Sequence, residues 1–352
     1  MRMPMRAARA IPLFWLLLAP LEARALWPGD VLVLDGQNDR VLRVDPNNGV
    51  VTTLSPRSGT NLLNTQPRSI AVDPNGEIVV LNGNAPALVL IDPATGAQLA
   101  MPEASPNSLL LGPQPTGLAM SPRAPGFGSF RTLFVPEEGE VHEIDRSLLG
   151  GTATLLSSYP SPDAFDVGNF AAVRDPGSGS LDVFVATSQK ILLYDGNAMS
   201  EWWTLPQTTL EGLGYDPDGY LFFTYQYESC PSIHNGIFYF TVGASLTPPQ
   251  AGFGDEGVVQ TGGNVECPGP IAVSPPNLLL HPYPIYVVDE EPIPPRIISV
   301  DGGGQSHVAA TLPQGSSATA IAVYSPEPGA PELALAAWAA LAALGLTRRR
   351  LL

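Results

Sequence analysis

The chain is poor in the residues that most often carry chemistry: 352 residues include 4 histidines, 2 cysteines and a single lysine, Lys190. That scarcity excludes several classes of site. His142, His234, His281 and His307 stand far apart and match neither a zinc helix motif nor a closely spaced ligand pair. Cys230 and Cys267 are too widely separated for a Cys-x-x-Cys redox motif. No glycine-rich phosphate loop leads into a helix, and no Gly-x-Ser-x-Gly elbow presents an activated serine. Neither terminal apolar run reaches the ~20 residues of a comfortable bilayer span.

Positive charge is also scarce. The formal net charge is −16, and seven of the 17 basic residues (Arg2, Arg6, Arg9, Arg24, Arg348, Arg349 and Arg350) lie at the two ends. The body between them carries roughly thirty carboxylates, so long-range electrostatics oppose nucleic acid and anionic membrane surfaces. Acidity of this kind suits solubility outside the cell or binding of divalent cations, and a merely solvated face is the simpler account.

The ends read as sorting signals. Residues 1–25 have the three parts of a secretory signal peptide: arginines at 2, 6 and 9, an apolar stretch from Ile11 to Leu18, and the small-x-small site Ala23-Arg24-Ala25. Cleavage there leaves Leu26 first. Residues 326–352 begin with Pro326-Glu327-Pro328, continue through an apolar run from Leu333 to Leu346 and finish with Arg348-Arg349-Arg350. These features, in this order at the C-terminus, resemble the PEP-CTERM sorting signal. That resemblance implies recognition by the export machinery and an exosortase-type enzyme, cell-surface or extracellular location, and membrane contact only through the tail. A retained tail anchor is the competing expectation, with the arginines held on the cytoplasmic side. In an oxidising compartment the two cysteines form one disulfide, and two buried free thiols are the alternative.

What the body has in abundance is strand punctuation, with 35 glycines and 38 prolines among many β-branched and aromatic residues. A short apolar triplet with a small or nearly small centre recurs: Ile70-Ala71-Val72, Leu118-Ala119-Met120, Ala171-Ala172-Val173, Leu213-Gly214-Tyr215, Ile271-Ala272-Val273 and Ile321-Ala322-Val323. The spacing is that of propeller blades. Turns such as Asp73-Pro74-Asn75-Gly76 and Asp216-Pro217-Asp218-Gly219 follow, then a second strand, then a third ending in Asp45, Asp92, Asp145, Asp195 or Asp301. The expected fold is all-β: one six-bladed β-propeller of four-stranded antiparallel blades over residues 26–325. The N-terminal blade lacks a first strand, and Ala320-Ile321-Ala322-Val323 supplies it, closing the ring. Phrases such as Gly29-Asp30-Val31-Leu32-Val33-Leu34-Asp35 and Pro67-Arg68-Ser69-Ile70-Ala71-Val72-Asp73 resemble NHL-repeat and gluconolactonase-like propellers.

Blade geometry puts the residues two before each triplet around one mouth of the central channel: Arg68, Thr116, Asn169, Glu211, Gly269 and Thr319. The leading expectation is a noncatalytic binding or scaffold module, directed to exopolysaccharide or matrix protein. The alternative, implied by the gluconolactonase-like resemblance, is a calcium-dependent hydrolase with Asn169 and Glu211 among the oxygen ligands of Ca²⁺. The aromatics Tyr220, Phe222, Phe223, Tyr225, Tyr227, Phe238, Tyr239 and Phe240 are expected between blades. For Trp202-Trp203 packing leads, but strand alternation would leave one indole outward, free to stack on a sugar ring. Mass spectrometry of protein from the native host should find Leu26 at or near the N-terminus and no peptide containing Arg348 to Arg350. An intact tail in mature surface protein would favour the permanent anchor.

Overall fold

The computed structural model describes residues 26–56, 59–63, 66–73, 76–83, 88–101, 117–120, 132–137, 140–146, 153–160, 170–174, 181–187, 189–195, 198–204, 209–216, 219–226, 229–230, 235–242, 257–259, 265–274, 284–291, 293–301 and 305–325. Residues 1–25, expected to be a signal peptide, residues 326–352, expected to be a sorting tail, Thr116 and Asn169 lie outside the described residues.

The chain folds as six antiparallel four-stranded sheets, the blades of a propeller. The first contains β1 (Val31–Asp35), β2 (Arg40–Asp45) and β3 (Val50–Ser55), and the second β4 (Pro67–Val72), β5 (Ile78–Asn82), β6 (Leu88–Ile91) and β7 (Gln98–Ala100). The third holds β8 (Ala119–Met120), β9 (Thr132–Glu137), β10 (Glu140–Arg146) and β11 (Ala153–Pro160). The fourth holds β12 (Phe170–Arg174), β13 (Asp182–Ala186), β14 (Lys190–Tyr194) and β15 (Met199–Thr204). The fifth holds β16 (Thr209–Tyr215), β17 (Tyr220–Gln226), β18 (Gly236–Thr241) and β19 (Gly257–Val259). The sixth holds β20 (Pro268–Val273), β21 (Ile285–Asp289), β22 (Arg296–Val300) and β23 (Ser306–Thr311). The last strand, β24 (Ala318–Val323), pairs with β1 from Val31↔Val323 to Asp35↔Ala318, and so completes the first blade.

Turn chemistry expected from the sequence is realised. Asp73 accepts a hydrogen bond from the Glu77 amide and Asp216 one from the Tyr220 amide, while Gly76 and Gly219 take the left-handed conformation, φ 86° and 97°. At the ends of third strands, Asp45, Asp92 and Asp301 accept from the amides of Asn47, Ala94 and Gln305. Each carboxylate satisfies an amide that the ladder leaves over.

Hydrophobic burial lies in layers between blades. Val33, Leu42, Val288, Ile297 and Ile321 fill the space between the sixth and first blades, and Leu34, Val41, Ile78, Val80 and Val89 that between the first and second. Alternation on β17 and β18 divides the aromatics as expected. Phe223, Tyr225, Phe238 and Phe240 face the fourth blade, whereas Tyr220, Phe222 and Tyr239 face the sixth. Trp202 and Trp203 depart from alternation. Both are buried, at 4% and 2% exposure, so the leading expectation of packing holds and the alternative of an outward indole fails. The cause is a register slip on β15: Trp203 pairs with Ile191 and Glu201 with Leu192, which makes Trp202 a bulge residue. The bulge turns both rings into one layer, Trp202 edge-on to Phe184 and Phe240, Trp203 against Phe223 and Phe240.

Truncation after Gly315 removes β24 and exposes the ladder of β1 at the channel. The expected cost is several kcal/mol, with loss of the cooperative thermal transition. A truncated body melting like the full one would contradict closure by this strand.

Candidate functional site

The first strands of neighbouring blades touch around the whole ring: β4 with β8, β8 with β12, β12 with β16, β16 with β20, β20 with β24 and β24 with β4. The small residues at and beside the triplet centres make this convergence possible. A Cβ on Gly214 would meet the Val273 side chain at 2.9 Å, and one on Gly212 the Ile271 backbone nitrogen at 2.8 Å.

At the mouth each first strand described there is interrupted. Arg68 in β4, Glu211 in β16 and Thr319 in β24 are each the extra residue of a β-bulge, and the same slip lies between Pro268 and Ile271 in β20, the stretch that holds Gly269. A bulge takes a residue out of the pleat and re-aims its side chain. Four of the six positions expected to ring the channel therefore share one local geometry. The other two, Thr116 and Asn169, lie outside the described residues.

The bulge residue shares its space with the residue just after the second strand. In the first blade a Cβ on Gly36 would lie 2.5 Å from Thr319 Cγ2, and in the second a Cβ on Gly83 would lie 3.1 Å from Arg68 Nε. The sixth blade reverses the exchange: the bulge residue is Gly269, where a Cβ would lie 2.8 Å from Glu290 Oε1. These three blades thus each project one side chain into the mouth, Thr319, Arg68 and Glu290. In the fifth blade Glu211 takes that role, while Gln226 turns aside and donates to the Pro268 carbonyl at 3.4 Å.

Glu290 was not among the residues singled out from the sequence. The available signal was alignment of the second-strand ends: Glu290 follows Val288-Asp289 where Gly36 follows Leu34-Asp35 and Gly83 follows Leu81-Asn82. The preceding residue in each blade is buried and holds the loop leading into its own first strand. Asp35 accepts from the Ser317 amide, Asn82 donates to the Leu62 carbonyl, and Asp289 accepts from the amides of Glu266 and Cys267.

Charge pairing separates these groups. Buried Asp30, Asp35 and Asp289 form ion pairs with Arg43, Arg40 and Arg296 respectively. Glu211 and Glu290 have no side-chain hydrogen bond or ion pair among the described residues. Burial pushes the Glu211 carboxyl up to about 7, and the neighbouring Glu290 charge adds to the rise. Glu290 is raised as well, by burial first and then by the charge of Asp289, although its outer side is open to solvent. Arg68 relieves neither: it donates to Gln66 and stands three blades from Glu211, on the opposite side of the ring.

A disulfide joins the two blades that carry these glutamates. Cys230, in the loop after β17, is bonded to Cys267, just before β20, with a Cα–Cα distance of 5.3 Å. Chain-entropy arguments give such a crosslink about 4 kcal/mol of stabilisation. A bonded pair fits folding in an oxidising compartment. No helix among the described residues is long and apolar enough to cross a membrane.

No family model matches the sequence, and no curated protein matches it. Solved structures match the fold. A chain from a nidogen/laminin complex aligns over 85% of this chain and 99% of its own length, with TM-score 0.56 and 11% identity. A protein of unknown function from Bacteroides caccae aligns over 84% and 98%, with TM-score 0.51 and 11% identity. A calcium-binding protein, regucalcin, from Agrobacterium tumefaciens aligns over 74% and 78%, with TM-score 0.49 and 14% identity. At these identities the similarity is one of propeller architecture alone.

The raised Glu211 carboxyl makes stability depend on pH. Its folded-state pKa lies above the ordinary 4.5, so the folded chain binds more protons than the unfolded chain between that value and about 7. Its contribution is therefore fully present below the ordinary value and is lost as pH rises through about 7. Glu211→Gln should flatten this slope and, at about pH 8, stabilise the protein by on the order of 1 kcal/mol after solvent screening. Urea denaturation of both proteins across that range checks the sign.

Proposed function

We propose that this chain is an exported, noncatalytic binding propeller whose channel mouth captures a positively charged group of an extracellular matrix partner. One observation carries the reading: among the described residues Glu211 and Glu290 meet at the mouth without an arginine, while buried Asp30, Asp35 and Asp289 each have one. Burial and the Glu290 charge disfavour ionisation of the half-buried Glu211 carboxyl, and an incoming ammonium relieves both effects. The acidic body favours approach of a cationic partner at long range. Of the two partners expected from the sorting signal, a basic protein segment therefore fits better than a neutral polysaccharide. Hydroxyl groups can hydrogen-bond the pair but cannot neutralise it. The exported location rests on the signal peptide and PEP-CTERM resemblances.

The calcium-dependent hydrolase is the second reading, and the same carboxylates favour it. Calcium takes six to eight oxygens, and no group of three or more His, Cys, Asp or Glu side chains forms a metal site among the described residues. Asn169, the other expected ligand, lies outside them. Among the described residues the donors fall short of a calcium shell.

Calorimetric titration with a lysine-containing peptide, its acetyl-lysine counterpart, a neutral oligosaccharide and Ca²⁺ tests the proposal. The lysine peptide should bind, and acetylation or the Glu211→Gln/Glu290→Gln pair should weaken it at least about tenfold, or ~1.4 kcal/mol. Its affinity should strengthen as pH rises through about 7, because the cation favours the ionised pair. Oligosaccharide binding indifferent to both glutamates, or calcium-dependent turnover of a lactone, would overturn it.

A further inference from the structure

We propose that the Cys230–Cys267 disulfide is a redox-sensitive strap that positions Glu290 beside Glu211, so that reducing it slackens the mouth and weakens cation capture. The proposal rests on the cation-binding reading of the mouth.

Cys267 is the point to which Glu290 is attached. Its carbonyl accepts the Glu290 amide at 2.9 Å, and its own amide donates to Asp289 Oδ1 at 2.9 Å. The first bond recurs as Gly36 to Ser317 and Gly83 to Gln66, both 2.9 Å. Those blades use no crosslink, and the residue attached there is a glycine with no side chain to aim. The crosslink occurs where that position carries a carboxylate.

The neighbouring contacts show what the bond adds. From the fifth blade, Gln226 reaches Pro268 at 3.4 Å and Thr224 Oγ1 donates to the Gly269 carbonyl at 2.7 Å. These bonds hold the strand beyond Cys267, and Gln226 also makes a long contact, 3.7 Å, to Cys267 Sγ itself. The disulfide alone ties Cys267 covalently to the fifth blade, the blade of Glu211. The β20–β21 ladder gives the intervening segment little support, because the bulge leaves no paired residue between Pro268 and Ile271. Without the crosslink, Cys267 and the attached Glu290 amide depend on hydrogen bonds next to a break in the sheet.

Reduction by a dithiol is chemically complete. A reagent thiolate attacks Cys230 Sγ, the less buried sulfur, the S–S bond breaks, and the Cys267 thiolate leaves and is protonated. The second reagent thiol displaces Cys230 and closes the reagent's own disulfide. The protein gains two electrons and two protons.

The test measures amide hydrogen exchange and lysine-peptide affinity for the mature protein before and after dithiothreitol. Exchange at Glu290 should accelerate at least about tenfold, while Val33 in the first blade stays protected, and peptide affinity should fall at least about fivefold. A Cys230→Ala/Cys267→Val variant, which fills the buried site without free thiols, should behave as the reduced protein. Unchanged Glu290 exchange in both would overturn the strap. Accelerated exchange with no peptide bound by either redox form would support the strap and overturn the cation reading.

Discussion

Six first strands have to converge around one axis, and where the fifth-blade strand meets the sixth-blade strand there is less room than one further Cβ needs. The contacts a Cβ would make at Gly212 and Gly214 show how little is left. This crowding explains the small residues of the repeated triplet, and it explains why the strand breaks its pleat where it emerges at the mouth. A bulge lets the chain leave the crowded axis and sends one side chain upward. The alternation of glycine between the bulge and the end of the second strand follows from the same shortage of space. In the first, second and sixth blades one partner is a glycine and the other carries the side chain, whereas the fifth has Glu211 and a Gln226 turned aside.

That choice gives the mouth its charge distribution. Thr319 and Arg68 occupy consecutive blades, and Glu211 with Glu290 occupies the pair of blades that the disulfide joins. Buried carboxylates that support the architecture, such as Asp35 and Asp289, pair with arginine and bind backbone amides in one stroke. Among the described residues the mouth glutamates do neither, and burial with the Glu290 charge raises Glu211 to about 7, so it is only partly ionised at neutral pH. An unrelieved pair of this kind is a cost to the fold unless something binds there.

Much of this was legible in the sequence because short-range rules governed it. The triplets marked the innermost strands, the Asp and Gly turns marked the second, and a lone triplet at Ile321 with none before Val31 announced closure. The Cys230 to Cys267 pairing followed from an export reading and a count of two cysteines. What escaped were departures from period. For Trp202 and Trp203 packing led, but strand alternation kept an outward indole open, since no residue type announces the bulge that turns both inward. Glu290 was missed for a different reason. It stands outside the triplet frame used to find mouth residues, and only alignment with Gly36 and Gly83 reveals it.

The central claim is that Glu211, half-buried at the mouth, has its ionisation opposed by burial and by the charge of the more exposed Glu290. Carbon-13 NMR titration of the side-chain carboxyls, assigned through Glu211→Gln and Glu290→Gln, tests it most directly. The account predicts a Glu211 midpoint near 7 that moves down when Glu290 is replaced. A Glu211 midpoint at the ordinary 4.5, indifferent to residue 290, would contradict it.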